Sequence, residues 1–268
     1  YYSHSGPMAR STEDIILMQN LTSGIHNQDI ASLHKVIPFD YNLDLKGVKI
    51  AWSDNLCGFE IEDDVLQNLN NAINIFTDLG AVVEKVNLGL SNKILDATEV
   101  YLNSLWGTSL REEVKGKEEF LSSYTKKYLD HSRERSLSDF INCNIVAWDA
   151  FSKFGPILEK YDIFLCPTNA VTGIPANHGY PNLEFEFNGI KRETKPDGDE
   201  TMWLTTPFNM MSRLPVMSVP TGFALNNIPT GMQIVGNPYD DNSVFKASLA
   251  YEKSISWLFD RNNRPIKL

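Results

Sequence analysis

The chain has 268 residues, of which 42% are hydrophobic, 11% aromatic and 22% charged; this composition supports one large or two modest folded domains and argues against intrinsic disorder. The formal net charge of −10 argues against a nucleic-acid or anionic-membrane surface, because both need clustered Lys and Arg. Three cysteines, far apart in the sequence, predict neither a disulfide framework nor a zinc knuckle, and we expect a reducing, cytoplasmic setting.

The first predicted element is a helix in the stretch GPMARSTEDIILMQNLTSG, from Gly6 to Gly24. Ser11 or Thr12 can cap its start, and acidic residues follow where the helix dipole favours negative charge. Gly24 closes it. The apolar stripe that we expect to face the core consists of Ile15, Leu17, Met18 and Leu21. A polar connecting loop is predicted to follow this helix.

A strand–helix–strand unit is predicted after the loop. The apolar run VKIAWS, from Val48 to Ser53, has the length of a strand, and AVVEKVNL predicts a second strand after Gly80. Acidic residues between them precede apolar positions at helical spacing, which are Val65, Leu66, Leu69, Ile73, Phe76 and Leu79. This order predicts a βαβ unit, which is typical of a sheet covered by helices.

Two long helices are predicted in the middle of the chain, over Lys93 to Val114 and Ser136 to Lys160. The second helix carries a largely aromatic stripe, which we expect to be its core face rather than a cofactor site. The stripe consists of Phe140, Ile141, Ile145, Trp148, Phe151, Phe154 and Ile157.

The last part of the chain predicts mainly strands. YDIFLCPT is a near-continuous apolar run that stops at Pro167, as is typical of a strand buried on both faces. Asn188-Gly189 in LEFEFNGIKRE predicts a hairpin. LPVMSVPTGF and IPTGMQIVG follow, and a helix is expected from about Asn242 to Leu258. We predict one α/β body in which a mixed β-sheet is flanked by helices.

The residue types that carry chemistry form no recognisable catalytic motif. The five histidines stand in polar or loop contexts without metal-ligand spacing, so neither a metal nor a cofactor is expected. Cys166 lies in an apolar run and is expected to act as a small buried hydrophobe. Ser122-Ser123, with Lys126 or Lys127 as base, is one nucleophile pattern. No glycine-rich turn accompanies it, so a charged helix is the preferred interpretation.

Two long motifs resemble the amidase signature family. GPMARSTEDIILMQNLTSG is similar to the segment that closes that family's central region. RLPVMSVPTGFALNNIPTGMQIVGNPYDDNSVFKASLAYEK, from Arg213 to Lys253, is similar to its C-terminal motif. LKGVKIAWS, LGAVVEKVNL and YDIFLCPT agree in order between the two. The resemblance therefore covers nearly the whole chain.

The resemblance implies a hydrolase of C–N bonds in small linear amides, with a large mixed sheet flanked by helices. It also implies a serine nucleophile, a second serine in a cis peptide, and a lysine base whose pKa burial would lower. In the family these residues precede the GPMAR segment. We therefore expect residues 1–268 to be the C-terminal portion of a single amidase-signature domain, with the catalytic residues upstream of Tyr1 and none within this chain.

The resemblance further implies where this chain lines the substrate pocket, because GDETMWLTTPFNMMSRLP corresponds to the acyl side of the family's site. Trp203 is expected to be an apolar wall for the substrate's R group. Thr206 and Asn209 are expected to be polar anchors or structural hydrogen-bonders, and simple packing or capping is an alternative for all three. Arg213, where the family commonly has a small residue, either meets an anionic substrate group or lies on the surface.

Three functions stay open on the sequence. The leading one is an amidase of which the isolated chain is inactive; the second is the A subunit of a tRNA-dependent glutamine amidotransferase; the third is a non-catalytic scaffold that retains the fold. The expected partners are a small amide substrate and the N-terminal half of the same fold. The sequence also leaves open that the protein forms a homo-oligomer. Nucleic-acid binding by the chain itself and membrane contact are not expected.

Overall fold

The structure, a computed structural model, describes residues 3–34, 42–132, 135–173, 184–193 and 204–255. The helices of these ranges are α1 (Thr12–Thr22), α2 (Asp63–Asp78), α3 (Lys93–Glu113), α4 (Ser123–His131), α5 (Leu137–Lys160), α6 (Thr206–Met211) and α7 (Asp241–Ser254). The strands are β1 (Lys49–Trp52), β2 (Val82–Lys85), β3 (Ile163–Pro167), β4 (Glu184–Phe187), β5 (Ile190–Glu193), β6 (Val216–Phe223) and β7 (Pro229–Gly236).

The main sheet has five strands in the order β2-β1-β3-β7-β6. β1 runs parallel to β2 and to β3, whereas β7 is antiparallel to β3 and to β6. The sheet is therefore mixed, as predicted, and the β1–α2–β2 unit is the predicted βαβ unit. β4 and β5 form a separate hairpin around Asn188 and Gly189, whose positive φ angles of 49° and 75° match the turn that this dipeptide favours.

Each face of the sheet has its own hydrophobic core. α2, α7 and α1 cover one face, where Phe76 stacks on Tyr251 with ring centroids 5.4 Å apart. α3, α5 and α6 cover the other face, where Phe154 packs edge-on against Phe164 and Phe208. β3 lies between the two cores and all five of its residues are buried. This confirms the expectation of a strand buried on both faces.

The first helix is confirmed, but its predicted apolar stripe is right only for Ile15, which packs against the core. The side chain of Ser11 caps α1 by accepting a hydrogen bond from the backbone N–H of Asp14. The buried residues of α1 are Thr12 and Ile16. Thr12 joins α7 through the hydroxyl of Ser248 at 3.1 Å. Only a small part of the surface of α1 packs on α7. Three apolar side chains of α1 therefore lie at the surface, and these are Leu17, Met18 and Leu21.

The long helix α5 is also confirmed, and Ser136 and Asp139 form a capping box at its start. Its aromatic stripe is the core face only in part, however, since Phe154 is buried and Phe140 and Ile157 pack against the core. The buried residues of α5 are Cys143, Ala150, Phe154 and Leu158. Of the predicted stripe, Ile141, Ile145, Trp148 and Phe151 are exposed. α5 is apolar on two sides, and α3 and the sheet cover only one of them.

All three cysteines are buried and no disulfide joins them. Burial raises the pKa of the Cys57 thiol to about 12 and raises that of Cys166 well above its ordinary value. The thiols are therefore protonated and inert, as expected for Cys166.

No helix among the described residues is both long and apolar enough to cross a membrane. α7 ends at Ser254 with Ile255 as its C-cap, before the predicted end near Leu258, and residues 256–258 of the predicted helix lie outside the described residues.

Candidate functional site

A strip of polar surface lies open on the α5-facing side of the sheet. The register places Cys166, Gln233 and Ser218 side by side on three neighbouring strands. One step further along the same face come Thr168, Gly231 and Pro220. Helices cover Cys166, whereas Ser218 is exposed and the residues of the second row are half-buried. We call Thr168, Ser218, Pro220 and Gly231 the open strip.

Two hydroxyl groups meet across the open strip. The Oγ1 atom of Thr168 lies 2.8 Å from the Oγ atom of Ser218, and either can donate the hydrogen bond. They meet over Gly231, because a Cβ atom there would lie 3.1 Å from Thr168 Oγ1 and 3.4 Å from Ser218 Oγ. A glycine inside a strand often marks such a close approach. The hydroxyl pair thus requires the glycine between its two strands.

Gln233 lies beneath the open strip with only 1% of its surface exposed. Its Nε2 atom donates to the backbone oxygen of Pro167 at 2.9 Å and to that of Leu204 at 3.1 Å. Its Oε1 atom has no partner among the described residues. Gln233 therefore ties the residue that leads into α6 to the end of β3, and it fixes α6 beside the open strip.

α6 carries two of the three predicted substrate contacts. Thr206 is buried at its start and Asn209 is half-buried one turn later. Trp203, the predicted apolar wall, lies outside the described residues. After α6, Ser212 and Arg213 have φ angles of 58° and 60°, which are unusual for residues with a side chain and often accompany functional sites.

The segment before α1 reaches this turn through His4. Its Nδ1 atom lies 3.4 Å from Asn209 Oδ1, and its Nε2 atom lies 3.3 Å from Ser212 Oγ. Serine, histidine and a side-chain amide in this order resemble a nucleophile with its base and orienting group. Ser212 is 6% exposed, however, and its backbone N–H closes the end of α6. We therefore interpret the contacts of His4 as structural ones that hold the N-terminal segment against α6.

A cleft of about 280 Å³ opens at the same end of the sheet. It contains all four residues of the open strip. The remaining lining residues come from α2, β6, β7 and the segment after β3, and they are Val65, Asn169, Val171, Thr172, Val219, Pro229 and Thr230. The cleft offers hydroxyl groups, an amide and apolar walls. It can bind and orient a small polar molecule, but the described residues that line it include no acid–base side chain.

The Ser122-Ser123 pattern lies at the start of a helix, which was the preferred interpretation of the sequence there. Ser122 is the cap of α4, since its Oγ atom accepts from the backbone N–H of Thr125 at 3.3 Å. The side chain of Lys127, one of the two suggested bases, lies outside the described set. Across the described ranges, no three His, Cys, Asp or Glu side chains are grouped so as to hold a metal ion.

The open strip was missed by the sequence analysis. Thr168, Ser218 and Gly231 are far apart in the chain, and only the register of three strands brings them together. The one signal was the glycine inside the strand pattern IPTGMQIVG, which could have indicated a close approach to neighbouring side chains.

Residues 1–245 match the family model described as Amidase. Two similar curated proteins are the A subunits of bacterial glutamyl-tRNA(Gln) amidotransferases. The one from Pediococcus pentosaceus is 27% identical over 92% of this chain and 54% of its own length. The one from Rippkaea orientalis is 26% identical over 94% of this chain and 55% of its own length. The chain thus spans about half the length of the curated relatives it matches.

Solved structures lead to the same family. A bacterial aryl acylamidase of the amidase signature family superimposes with a TM-score of 0.80 at 26% identity, over 95% of this chain and 54% of that one. The glutamyl-tRNA(Gln) amidotransferase of Thermotoga maritima has an A subunit that gives a TM-score of 0.70 at 23% identity, over 94% and 53%. The second likeness supports the fold alone.

Proposed function

The chain belongs to the amidase family, and from this premise we propose that the whole protein hydrolyses the C–N bond of a small linear carboxamide to an acid and ammonia. The observation that carries the proposal is the open strip next to α6, on a chain that matches the family model over residues 1–245. A cleft with hydroxyl groups, the exposed amide of Asn169 and apolar walls suits an uncharged polar substrate better than a phosphate or a nucleic acid.

We further propose that residues 1–268 form the C-terminal portion of one amidase-signature domain and supply one wall of the substrate site. In this proposal the serine nucleophile, the cis-peptide serine and the lysine base belong to a preceding portion. That portion would cover the open strip, and its serine would form an acyl-enzyme from which water releases the acid. The length of the relatives, about twice that of this chain, supports this division.

In the same proposal Thr206 and Asn209 orient the substrate from α6, and Trp203 bounds its R group. Thr206→Val keeps the shape of the side chain and removes its hydroxyl, whereas Asn209→Ala removes the amide that contacts His4. If these groups hold the substrate, each variant of the active protein loses kcat/KM by roughly tenfold or more. Trp203→Ala should change the preferred size of the acyl group. Ser138→Ala, on the exposed side of α5, is the control.

The test compares the 268-residue chain with the product of the complete coding sequence. Both are incubated with aryl acetanilides and with simple aliphatic amides, while release of aniline or ammonia is followed, and both are treated with a fluorophosphonate that labels reactive serines. We expect turnover and labelling of the complete product only. Labelling of the isolated chain that Ser212→Ala abolishes would place the nucleophile at Ser212 instead and would overturn the division.

A second function, the A subunit of a tRNA-dependent glutamine amidotransferase, is favoured by the names of the curated relatives. The chain's charge of −10 is unfavourable for direct tRNA contact, so partner proteins would have to bind the tRNA. Glutaminase activity that requires co-purifying partner proteins and rises with misacylated tRNA would establish this role. If the complete protein neither turns over amides nor reacts with the fluorophosphonate, the scaffold alternative holds. For all three functions we place the protein in the cytoplasm, since no disulfide joins its three buried cysteines.

A further inference from the structure

The outer side of α5 carries a row of large apolar side chains with no cover among the described residues. Leu137 is 75% exposed, Ile145 58% and Trp148 72%. Ile141, at 50%, and Phe151, at 39%, complete the row. We call these five residues the α5 stripe. They are separate from the buried side of the helix, whose Phe154 packs into the core between Phe164 and Phe208.

The α5 stripe follows the helix axis. Its members recur at intervals of three and four residues, so they lie along one side over about four turns. A fully exposed large apolar side chain presents about 150–250 Å². Because the five residues are between 39% and 75% exposed, the stripe presents about 600 Å² of apolar surface. A patch of that size is at the upper limit for monomeric proteins and is often an interaction site.

We propose that the α5 stripe is the contact between two copies of this chain, whose α5 helices pair antiparallel about a two-fold axis. Charge is the first argument for a second copy. Each chain carries a net charge of −10, so two copies repel each other except across a neutral surface. Next to the stripe, Asp149 and Lys153 neutralise each other at 2.7 Å, and uncharged polar residues between or directly after the stripe members include Ser138, Asn142, Asn144 and Ser152.

The spacing of the stripe is the second argument, because it matches its own reverse to within one residue about a point between residues 144 and 145. With the two-fold axis next to Ile145, Leu137 of one copy meets Phe151 of the other. Ile141 then meets Trp148, and Ile145 meets its own counterpart. A two-fold interface is self-complementary in this way. Antiparallel helices also oppose their dipoles favourably.

The area is the third argument. Two stripes bury about 1,200 Å² in total, which is the lower limit for a specific interface, and an aromatic anchor such as Trp148 is typical of the residues that dominate binding. We therefore expect a dissociation constant in the micromolar range, and a dimer that forms and separates within the range accessible to sedimentation.

The first test is sedimentation velocity of the 268-residue chain over a range of concentrations. We expect the mass to rise from 30.3 kDa to twice that value. Trp148→Glu should raise the dissociation constant by at least tenfold. Leu21→Glu is the matched control, because it places the same charge on an exposed apolar position of another helix, α1; it should leave the association unchanged. Circular dichroism establishes that both variants are folded.

The second test is a cross-link that reports geometry. Ile145→Cys lies at the two-fold axis and should form a disulfide-linked dimer under mild oxidation, whereas Leu137→Cys lies near the end of the stripe and should not. The native cysteines are buried and give little background. A chain that stays monomeric, an association that Leu21→Glu abolishes and Trp148→Glu does not, or equal cross-linking at 137 and 145 would each overturn the proposal.

The same measurements on the product of the complete coding sequence identify the occupant. A dimer that dissociates with Trp148→Glu supports the second copy. A monomer in which Trp148→Cys is protected from alkylation shows that another part of the same protein covers the stripe, and the proposal is then wrong. This result is independent of the amide assays, so it leaves the proposed function untouched.

Discussion

Thr168 and Ser218 share a hydrogen bond of 2.8 Å across β7, although β7 separates their strands in the sheet. The bond is possible because Gly231 stands between them without a side chain. In Gly231→Ala the new Cβ would lie 3.1 Å from Thr168 Oγ1, so we expect a loss of about 1–2 kcal/mol in the free energy of unfolding. Urea unfolding measures it.

Two variants control this prediction. Gly6→Ala adds the same methyl group where nothing lies within 4 Å, and it should leave the stability unchanged. Ser218→Ala combined with Gly231→Ala removes one of the crowded hydroxyls, and should recover part of the loss in a double-mutant cycle. Additive losses would show that the crowding inferred at the open strip does not exist.

Gly107 marks a second close approach, between α3 and α4. A Cβ atom at this position would collide with the Cβ atom of Ser132. Gly→Ala inside a helix ordinarily stabilises by about 1 kcal/mol. We expect Gly107→Ala to do the opposite, because the two helices must move apart. Ser109→Ala, at an exposed position of the same helix, is the control: thermal unfolding should show little change there and a loss at Gly107.

The capping box of α5 makes the stability of the fold depend on pH in the acidic range. The pKa of Asp139 is lowered from its ordinary 3.8 because the backbone N–H and the hydroxyl of Ser136 donate to its carboxylate. A carboxylate with a lowered pKa stabilises the fold fully above its unfolded pKa, and the contribution is lost as pH falls through the folded pKa. We therefore expect part of the loss of stability below pH ~4 to come from Asp139.

Asp139→Asn separates titration from capping, because asparagine keeps an acceptor oxygen but carries no charge. Its melting temperature should fall less than that of the parent chain between pH 6 and about pH 3. Asp139→Ala loses the acceptor and should be less stable at every pH. If the two variants follow the same pH profile as the parent chain, the capping box has no part in acid unfolding.

The three cysteines should react slowly in the folded chain. Burial raises the pKa of Cys57 to about 12 and also raises that of Cys143, so almost no thiolate is present near neutral pH. We expect iodoacetamide to modify none of them within minutes at pH 8, and all three in urea, as counted by mass spectrometry. Leu21→Cys, at an exposed position of α1 outside the α5 stripe, supplies an exposed thiol as the positive control. Rapid modification of a native cysteine without denaturant would contradict the burial described here.

The sequence predicted the elements well because each was specified locally. The Asn188–Gly189 turn and the spacing of α2 are confirmed. The direction in which α5 faces was not predictable, because this helix carries apolar residues on two sides and periodicity shows only which residues share a side. Cys143 and Ala150, which do face the core, are small and made a weaker signal than Trp148.

The candidate site was predictable only in part. The resemblance directed attention to Thr206 and Asn209, which lie on α6; neither is among the residues that line the cleft, so their contact with a substrate stays a prediction. The open strip depends on strand register. That register is determined by contacts between segments that are not adjacent in the sequence. No local pattern states that residue 168 will lie opposite residues 231 and 218.

The strand order also constrains how the sheet can be completed as the chain leaves the ribosome. β1 has β2 as a neighbour early, but its other neighbour, β3, begins only at Ile163. The carboxylate of Asp162 then accepts from the backbone N–H of Lys49 across 113 residues. Until β3 is synthesised, one edge of β1 in the nascent βαβ unit has no strand to pair with. The helices α3, α4 and α5 must be synthesised before β3 can occupy that edge. Slow synthesis through α3–α5, or a chaperone that shields β1 meanwhile, should raise the yield of folded protein.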